Sequence, residues 1–261
     1  MSIINPFGYG MSVTHRIKSI KQPNGGYIKP NQFSVQNLGN TDELYSPENV
    51  HASLIGMAVD YLTRLMLGAT AQEAFKISLL GARNINETAN AKKLLADIKG
   101  LDDTSIINAI KITGYDVCYR FGATAFVPID TINPNENSIK NVRTMVERSL
   151  HFIDLYGPIV KDGFTFEGGY TKIIDAGDGD FLTSDTLWDF KVLKSKPTNK
   201  NTLQLLVYWR MGLHSIHPEF KNIKYLGIYN PRLNNVYRIA VSDIPDEVIE
   251  EVEWDVIGYN I

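Results

Sequence analysis

The stretch TLWDFKV, residues 186–192, decides how this chain is interpreted. Its aromatic and β-branched residues favour a strand, and alternate side chains of a strand lie on the same face. Asp189 and Lys191 therefore share one face with Leu187, while Trp188 and its alternate neighbours point the opposite way into a core. The pattern predicts a carboxylate and an ammonium side by side on an otherwise apolar strand.

A second carboxylate precedes this strand in the stretch GDGDFL, residues 177–182, with a short turn at residues 183–185 between them. Hairpin pairing of the two strands would bring Asp180 near Asp189. Two carboxylates beside Lys191 suit Mg²⁺, because this hard cation prefers oxygen ligands. Such a metal lowers the pKa of bound water and stabilises charge on a phosphate, while the lysine orients or stabilises the reacting groups.

A simpler interpretation of Asp189 and Lys191 stays open at this point. The two side chains could form a solvent-facing ion pair on an edge strand, which is the usual place of such a pair and contributes little to stability. The apolar flanks of the strand and the nearby Asp180 argue against it.

The residues around this stretch predict an α/β architecture from residue 138 onward. The expected order is a helix at about 138–156, strands at about 164–167, 171–182 and 186–193, a helix from 201 to about 215, strands at about 223–229 and 235–241, and a closing helix at about 242–254. This order of helix, three strands, helix and strand restricts the folds to be considered.

The rest of the chain divides into two further segments. Residues 1–45 are rich in Gly, Asn and Pro and predict irregular structure with a short β-ribbon. Residues 46–137 predict a helical region packed on the core, with helices at about 46–67, 86–98 and 103–113, a capping box at Thr70 to Glu73 and an extended piece at 115–129. The domain boundaries expected from the sequence are therefore 1–45, 46–137 and 138–261.

The motif residues resemble a known family. Asp180 followed across a turn by Asp189 and Lys191 is similar to the motif of PD-(D/E)xK nucleases, although no proline precedes Asp180. The stretch QLLVY, from Gln204 to Tyr208, resembles the Q-x-x-x-Y helix motif of the RecB-like branch. The resemblance covers roughly residues 138–240 and implies a restriction-endonuclease-like core with a helical N-terminal region.

The resemblance implies a function and a set of roles. Asp180 and Asp189 would bind Mg²⁺, with Mn²⁺ as a substitute, and Lys191 would assist the attacking water. Gln204 and Tyr208 would line the site or contact the DNA backbone, although by themselves they fit a helix surface and a partly buried position. The expected activity is hydrolysis of DNA phosphodiester bonds by metal-activated water, in phage DNA processing, repair or host defence. The alternative is a catalytically inactive nuclease-like fold that binds nucleic acid or protein.

RecB-like enzymes usually add a histidine or an acidic residue from an upstream helix. Asp60 is the expected residue in this role and would complete the metal site. Glu147, on the helix directly before the strands, is its competitor, and His51 is a weaker choice. Asp60 could equally be an ordinary polar residue on a helix surface.

The charge of the chain constrains how it could bind DNA. The formal net charge is −3, so a DNA-binding surface must be local. The loop KVLKSKPTNK, residues 191–200, places Lys194 and Lys196 beside the motif strand as candidate phosphate contacts, with a solvated loop as the alternative. A larger protein assembly could supply further basic surface.

The remaining composition excludes several classes of protein. A single cysteine, Cys118, rules out a disulfide framework within the chain. No apolar run approaches the ~18 residues of a membrane span, and the N-terminal region lacks the apolar core of a secretion signal. The expectation is a cytoplasmic protein without a membrane partner.

Overall fold

A computed structural model describes residues 10–39 and 43–259. The chain forms two compact units, one made of Met1–Leu38 with Leu155–Ile261 and the other of Gly39–Asp154. These units divide the chain differently from the three segments expected from the sequence. The N-terminal segment belongs to the unit that carries the sheet, because a strand at 34–37 pairs with a strand near the C-terminus.

The first unit begins with β1 (Met11–Ser12), α1 (Val13–Ser19) and β2 (Ser34–Asn37). Helix α1 was not expected from the sequence. Ser12 caps it by accepting a hydrogen bond from the backbone N–H of His15 at 3.2 Å, and Val13 and Ile17 bury one face. The segment expected to be irregular therefore contributes a helix to the core as well as the expected strand.

The second unit is helical. It contains α2 (Ala52–Met66), α3 (Ala71–Ala74), α4 (Lys76–Asn84), α5 (Thr88–Ala96), α6 (Asp103–Ile112), α7 (Asp116–Arg120) and most of α8 (Glu136–Tyr156). The predicted capping box is confirmed, since Thr70 accepts from Glu73 N–H at 3.2 Å and Glu73 accepts from Thr70 N–H at 2.9 Å.

Two secondary-structure predictions for this unit are wrong. Helix α2 begins at Ala52 instead of near residue 46, because the backbone N–H groups of Tyr45 and Asn49 bind side chains of α8. The expected extended piece at 115–129 is instead α7 and short 3₁₀ turns. A glycine on α4 favours this packing, since a Cβ at Gly81 would lie 2.0 Å from the carbonyl oxygen of Tyr115.

The rest of the first unit is a mixed α/β structure. Its elements are β3 (Lys161–Thr165), β4 (Ile174–Ala176), β5 (Asp178–Leu182), β6 (Thr186–Phe190), α9 (Asn199–Leu213), β7 (Tyr225–Asn230), β8 (Asn235–Ala240), α10 (Asp246–Glu251) and a π-helical turn at Val252–Ile257. The expected order of helix, strands, helix and strand is observed, but the single strand expected at about 171–182 is wrong: this stretch forms β4, which pairs with β1, and β5, which belongs to the larger sheet.

Six strands form one sheet in the order β2-β8-β7-β6-β5-β3. Strands β6 and β7 are parallel and joined through α9, and the other neighbours are antiparallel. The separate pair β1 and β4 is also parallel. Since β6 lies between β5 and β7, the motif strand is in the interior of the sheet.

Both faces of β6 are buried. Leu187 belongs to the core formed with α1, α9 and the C-terminal turn. On the opposite face, the Trp188 ring makes an edge contact with Tyr156 at 5.1 Å between centroids and covers Gly227. The sequence predicts a core only on the Trp188 face, and the packing of α9 on the other face places Asp189 in the interior as well.

Within residues 10–39 and 43–259, no helix is both long enough and apolar enough to cross a membrane.

Candidate functional site

Asp189 lies inside the sheet-bearing unit and not on its surface. Its side chain is 2 % exposed, on a strand with hydrogen-bonded neighbours on both sides. In the parallel register it is the partner of Ile228 of β7, and it shares its face with Leu187. The interpretation of Asp189 and Lys191 as a solvent-facing pair on an edge strand is therefore wrong.

The two oxygens of the Asp189 carboxylate have different surroundings. Oδ1 lies 3.0 Å from Nζ of Lys191, which is partly exposed. Oδ2 is buried and has no hydrogen-bond partner among the described residues. Burial raises the pKa of Asp189, and the charge and hydrogen bond of Lys191 lower it in part. An unsatisfied, buried carboxylate oxygen is costly, so its presence calls for an explanation.

Asp180 joins the site through the backbone beside Asp189. The β5–β6 ladder pairs Leu182 with Leu187 and Phe181 with Trp188. Beyond these two pairs, β5 contacts β6 through a side chain: Oδ2 of Asp180 accepts a hydrogen bond from the backbone N–H of Phe190 at 2.6 Å. The Asp180 carboxylate therefore binds the backbone of the residue that follows Asp189. The predicted convergence of the Asp180 and Asp189 carboxylates stays a prediction.

The Gln204 and Tyr208 side chains, one turn apart on α9, contact each other. The Gln204 amide donates to the Tyr208 hydroxyl at 2.7 Å. Burial raises the pKa of Tyr208, and the negative charge of Asp189 is the next largest cause, with smaller contributions from Asp180 and Asp178. The negative charges of both motif carboxylates therefore act on Tyr208 and favour its neutral form.

The basic loop follows β6 directly. Lys194 and Lys196 are exposed, and α9 begins after them at Asn199, with Thr198 as its cap. Their contact with nucleic acid stays a prediction. The sequence at residues 230–232 indicates a turn in which Arg232 could meet a phosphate, and it does not indicate the role of Asn230. Asn230 is fully buried and its amide binds the loop backbone at Leu193.

The residues expected to complete the metal site, Asp60 or its competitor Glu147, belong to the helical unit. Asp60 on α2 forms an ion pair with Arg64 at 3.0 Å, one helical turn away. Glu147 on α8 is exposed. Neither finding tests their relation to Asp189, so the choice between Asp60 and Glu147 stays a prediction.

The donor set near Asp189 fits a hard divalent cation. Within residues 10–39 and 43–259, no group of three or more His, Cys, Asp or Glu side chains is placed to hold a metal ion. Mg²⁺ does not require such a group, because it keeps several waters and is held through one or two carboxylates. The unpartnered Oδ2 of Asp189, with the Asp180 carboxylate at the adjoining Phe190, is the kind of incomplete coordination that a bound cation would satisfy.

Comparisons of the chain with protein-family models, with curated proteins and with solved structures each return no match.

Proposed function

We propose that this protein is a metal-dependent nuclease with a restriction-endonuclease-like core, whose strands and crossover helix are β3, β5, β6, α9 and β7. The order of these elements and the mixed sheet with parallel β6 and β7 support this assignment. Strand β5 is antiparallel to both of its neighbours, β3 and β6, and α9 connects β6 to the parallel strand β7. This arrangement presents the motif residues at one end of the sheet.

One observation carries the proposal: Asp189 is buried with one oxygen on Lys191 and the other without a partner among the described residues, while the Asp180 carboxylate binds the backbone of the next residue, Phe190. In a purely structural role, a buried aspartate would have both oxygens hydrogen-bonded. Asp189 and Asp180 would hold Mg²⁺ or Mn²⁺. When bound, that ion would supply Lewis-acid stabilisation of charge on a phosphate and a lowered pKa for water.

The other residues act on the substrate in our proposal. Lys191 holds its ammonium beside Asp189, where it can orient the attacking water and offset the charge that builds up on the phosphate. Gln204 fixes the Tyr208 hydroxyl by donating to it, so this phenol keeps a proton to donate. Because burial and the neighbouring carboxylates raise the pKa of Tyr208, it stays neutral and serves as a hydrogen-bond donor at the site.

DNA is the proposed substrate, and hydrolysis of its phosphodiester bond is the proposed reaction. The test incubates the full chain with linear duplex, circular duplex and single-stranded DNA in Mg²⁺, Mn²⁺ or EDTA. We expect cleavage that requires the metal and that falls by at least about 100-fold in Asp189→Asn and Lys191→Met, the scale on which loss of one charge-stabilising group acts.

The matched control is Glu253→Gln. Glu253 is also buried and pairs with Arg210 at 2.7 Å in the same unit, so its variant breaks a buried ion pair away from the motif. Cleavage should persist in this variant. Equal cleavage by wild type, Asp189→Asn and Lys191→Met would show that the site is assigned wrongly. Retained DNA binding without cleavage of any substrate would favour the binding module instead.

A further inference from the structure

Positive charge is concentrated in one part of this acidic chain. Residues 190–242 contain nine Lys or Arg and a single acidic residue, Glu219, although the whole chain has 26 basic and 29 acidic residues. Glu219 is itself paired with Lys161 at 3.0 Å. The net charge of −3 therefore conceals a strongly basic stretch that begins at the motif strand and contains α9, β7 and β8.

The loop between β6 and α9 is anchored at both ends, which leaves its two middle lysines exposed. At its start, Lys191 N–H donates to the carbonyl of Tyr229 at 2.9 Å. Asn230 then binds Leu193 twice: its Oδ1 accepts from Leu193 N–H at 3.3 Å, and its Nδ2 donates to Leu193 O at 2.9 Å. At the other end the loop runs into the Thr198 cap of α9.

The same Asn230 side chain also holds the turn that follows β7. Its Oδ1 accepts a hydrogen bond from the backbone N–H of Arg232 at 3.0 Å. A fully buried amide thus ties together the segments that leave the carboxyl ends of two adjacent parallel strands, β6 and β7. Asp189 lies near the carboxyl end of β6, and ligands of parallel β-strand and helix units bind beyond the carboxyl ends of their strands.

We infer that Asn230 is a positioning residue that holds Lys194 and Lys196 as a rim that binds the phosphates of a nucleic-acid strand entering the Asp189 site. We call these two lysines the basic rim. Lysine ammonium groups act as point charges for phosphate, and neither Lys194 nor Lys196 has an ion-pair partner among the described residues. The inference rests on the proposed function, because it concerns the substrate of that same site.

The test measures binding without cleavage. Fluorescence anisotropy of labelled single-stranded DNA, duplex DNA and single-stranded RNA of equal length is followed in EDTA over a series of KCl concentrations. Lys194→Ala and Lys196→Ala should each lower the slope of log affinity against log salt by about one, as loss of one phosphate contact does. Comparing the three nucleic acids tells which one supplies the phosphates.

Matched controls come from the same basic stretch. Lys221 and Lys224 are exposed and lie before the start of β7, about 20 Å from its end at a rise of ~3.3 Å per residue. Lys221→Ala and Lys224→Ala remove the same charge and should leave the slope unchanged. If all four lysine variants lower the slope equally, the binding is diffuse and the basic rim is ruled out.

Asn230→Ala separates positioning from charge. It removes no cation, yet it should lower the salt slope toward that of the Lys194→Ala/Lys196→Ala double variant, because the loop loses its hold on β7. A wild-type slope in Asn230→Ala would rule out the positioning role. Lys194 and Lys196 are exposed, so their variants should fold and test phosphate binding by the basic rim even if Asn230→Ala does not fold.

The outcomes for the rim and for the nuclease are distinct. Metal-dependent DNA cleavage together with wild-type binding by the Lys194 and Lys196 variants would refute the rim and leave the nuclease standing. Binding through the rim without any cleavage would support the rim and refute the nuclease. Failure of the wild-type chain to bind any of the three nucleic acids at low salt would overturn the rim.

Discussion

The ammonium of Lys191 lies 3.0 Å from Oδ1 of Asp189, whose other oxygen is buried without a partner among the described residues. A buried charge that keeps one counter-charge is stable only while that counter-charge is present. Burial already raises the pKa of Asp189, and Lys191 is the group that opposes this shift. The pair is therefore expected to be strongly coupled in stability as well as in activity.

Lys191→Met should destabilise the fold by about 3–5 kcal/mol at neutral pH, because it leaves Asp189 buried and unpaired. The double variant Asp189→Asn/Lys191→Met should recover most of that loss, since no buried charge remains. Urea denaturation of the wild type and the three variants gives the coupling free energy. Lys161→Met is the control, since Lys161 and Glu219 have the same 3.0 Å spacing but both are partly exposed. Its cost should stay near or below about 1 kcal/mol.

Mg²⁺ should stabilise the wild-type chain and not Asp189→Asn. A ligand that binds only the folded state adds about 1.4 kcal/mol when its concentration is ten times its Kd. Thermal melts with EDTA or with increasing Mg²⁺ measure the effect without any need for catalysis. Glu253→Gln should keep the Mg²⁺ response of the wild type. An equal rise in melting temperature for Asp189→Asn and the wild type would place the cation somewhere else.

Tyr208→Phe should reduce DNA cleavage more than its effect on stability explains. The substitution removes the acceptor of the Gln204 amide at 2.7 Å, and because Gln204 is only partly buried this costs about 0.5–1.5 kcal/mol. Tyr237→Phe is the matched control, because this buried tyrosine also accepts from an amide, that of Asn235, at 3.3 Å. Similar cleavage rates for the two folded variants would mean that Tyr208 only packs.

The sequence predicts the local contacts among the candidate site residues better than it predicts their burial, for a physical reason. Alternation along residues 186–192 and the i, i+4 spacing of Gln204 and Tyr208 are local patterns, and local patterns set which side chains share a face. The contacts of Asp189 with Lys191 and of Gln204 with Tyr208 follow from them. Residue spacing alone could not reveal the burial of Asp189, which depends on β7 and α9 covering β6.

Long-range contacts account for the errors. Ser46 looks like a helix cap, yet the backbone N–H groups of Tyr45 and Asn49 bind α8 side chains that lie 96 and 89 residues further along the chain, so the helix starts at Ala52. Helix α1 is short and lies in a Gly- and Asn-rich region whose composition does not predict a helix. Its burial beside α9 stabilises it. Asn230 reads as a turn residue because its partner, Leu193, lies in another loop.

Gly227→Ala should disturb the sheet next to the site. Gly227 is the parallel partner of Trp188, and a Cβ there would lie 2.3 Å from the indole ring. Overpacking of this kind costs about 1–3 kcal/mol, and it would push Trp188 away from Tyr156. Urea denaturation followed by tryptophan fluorescence measures the loss. Gly100→Ala, where a Cβ meets nothing within 4 Å, should change stability by no more than about 0.5 kcal/mol.

The stability of the helical unit should depend on pH through Asp116. This side chain is buried on α7, where burial raises its pKa and hydrogen bonds from Ser78 and Tyr61 lower it in part. Because the folded-state pKa is above the unfolded value of about 3.9, the folded state holds the proton more tightly. The free energy of unfolding should therefore fall as pH rises from about 4 through the raised pKa, and then level off.

Asp116→Asn should remove that fall, since the substituted amide does not titrate. Urea denaturation of the wild type and the variant at a series of pH values, with helical content as the signal, gives the two profiles. Asp97→Asn, at an exposed position of the same unit, should keep the wild-type profile. If Asp116→Asn retains the full decrease in stability between acidic and neutral pH, the decrease arises from another group. If the wild type gains stability over that range instead, the buried carboxyl is outweighed by carboxylates that the folded state stabilises.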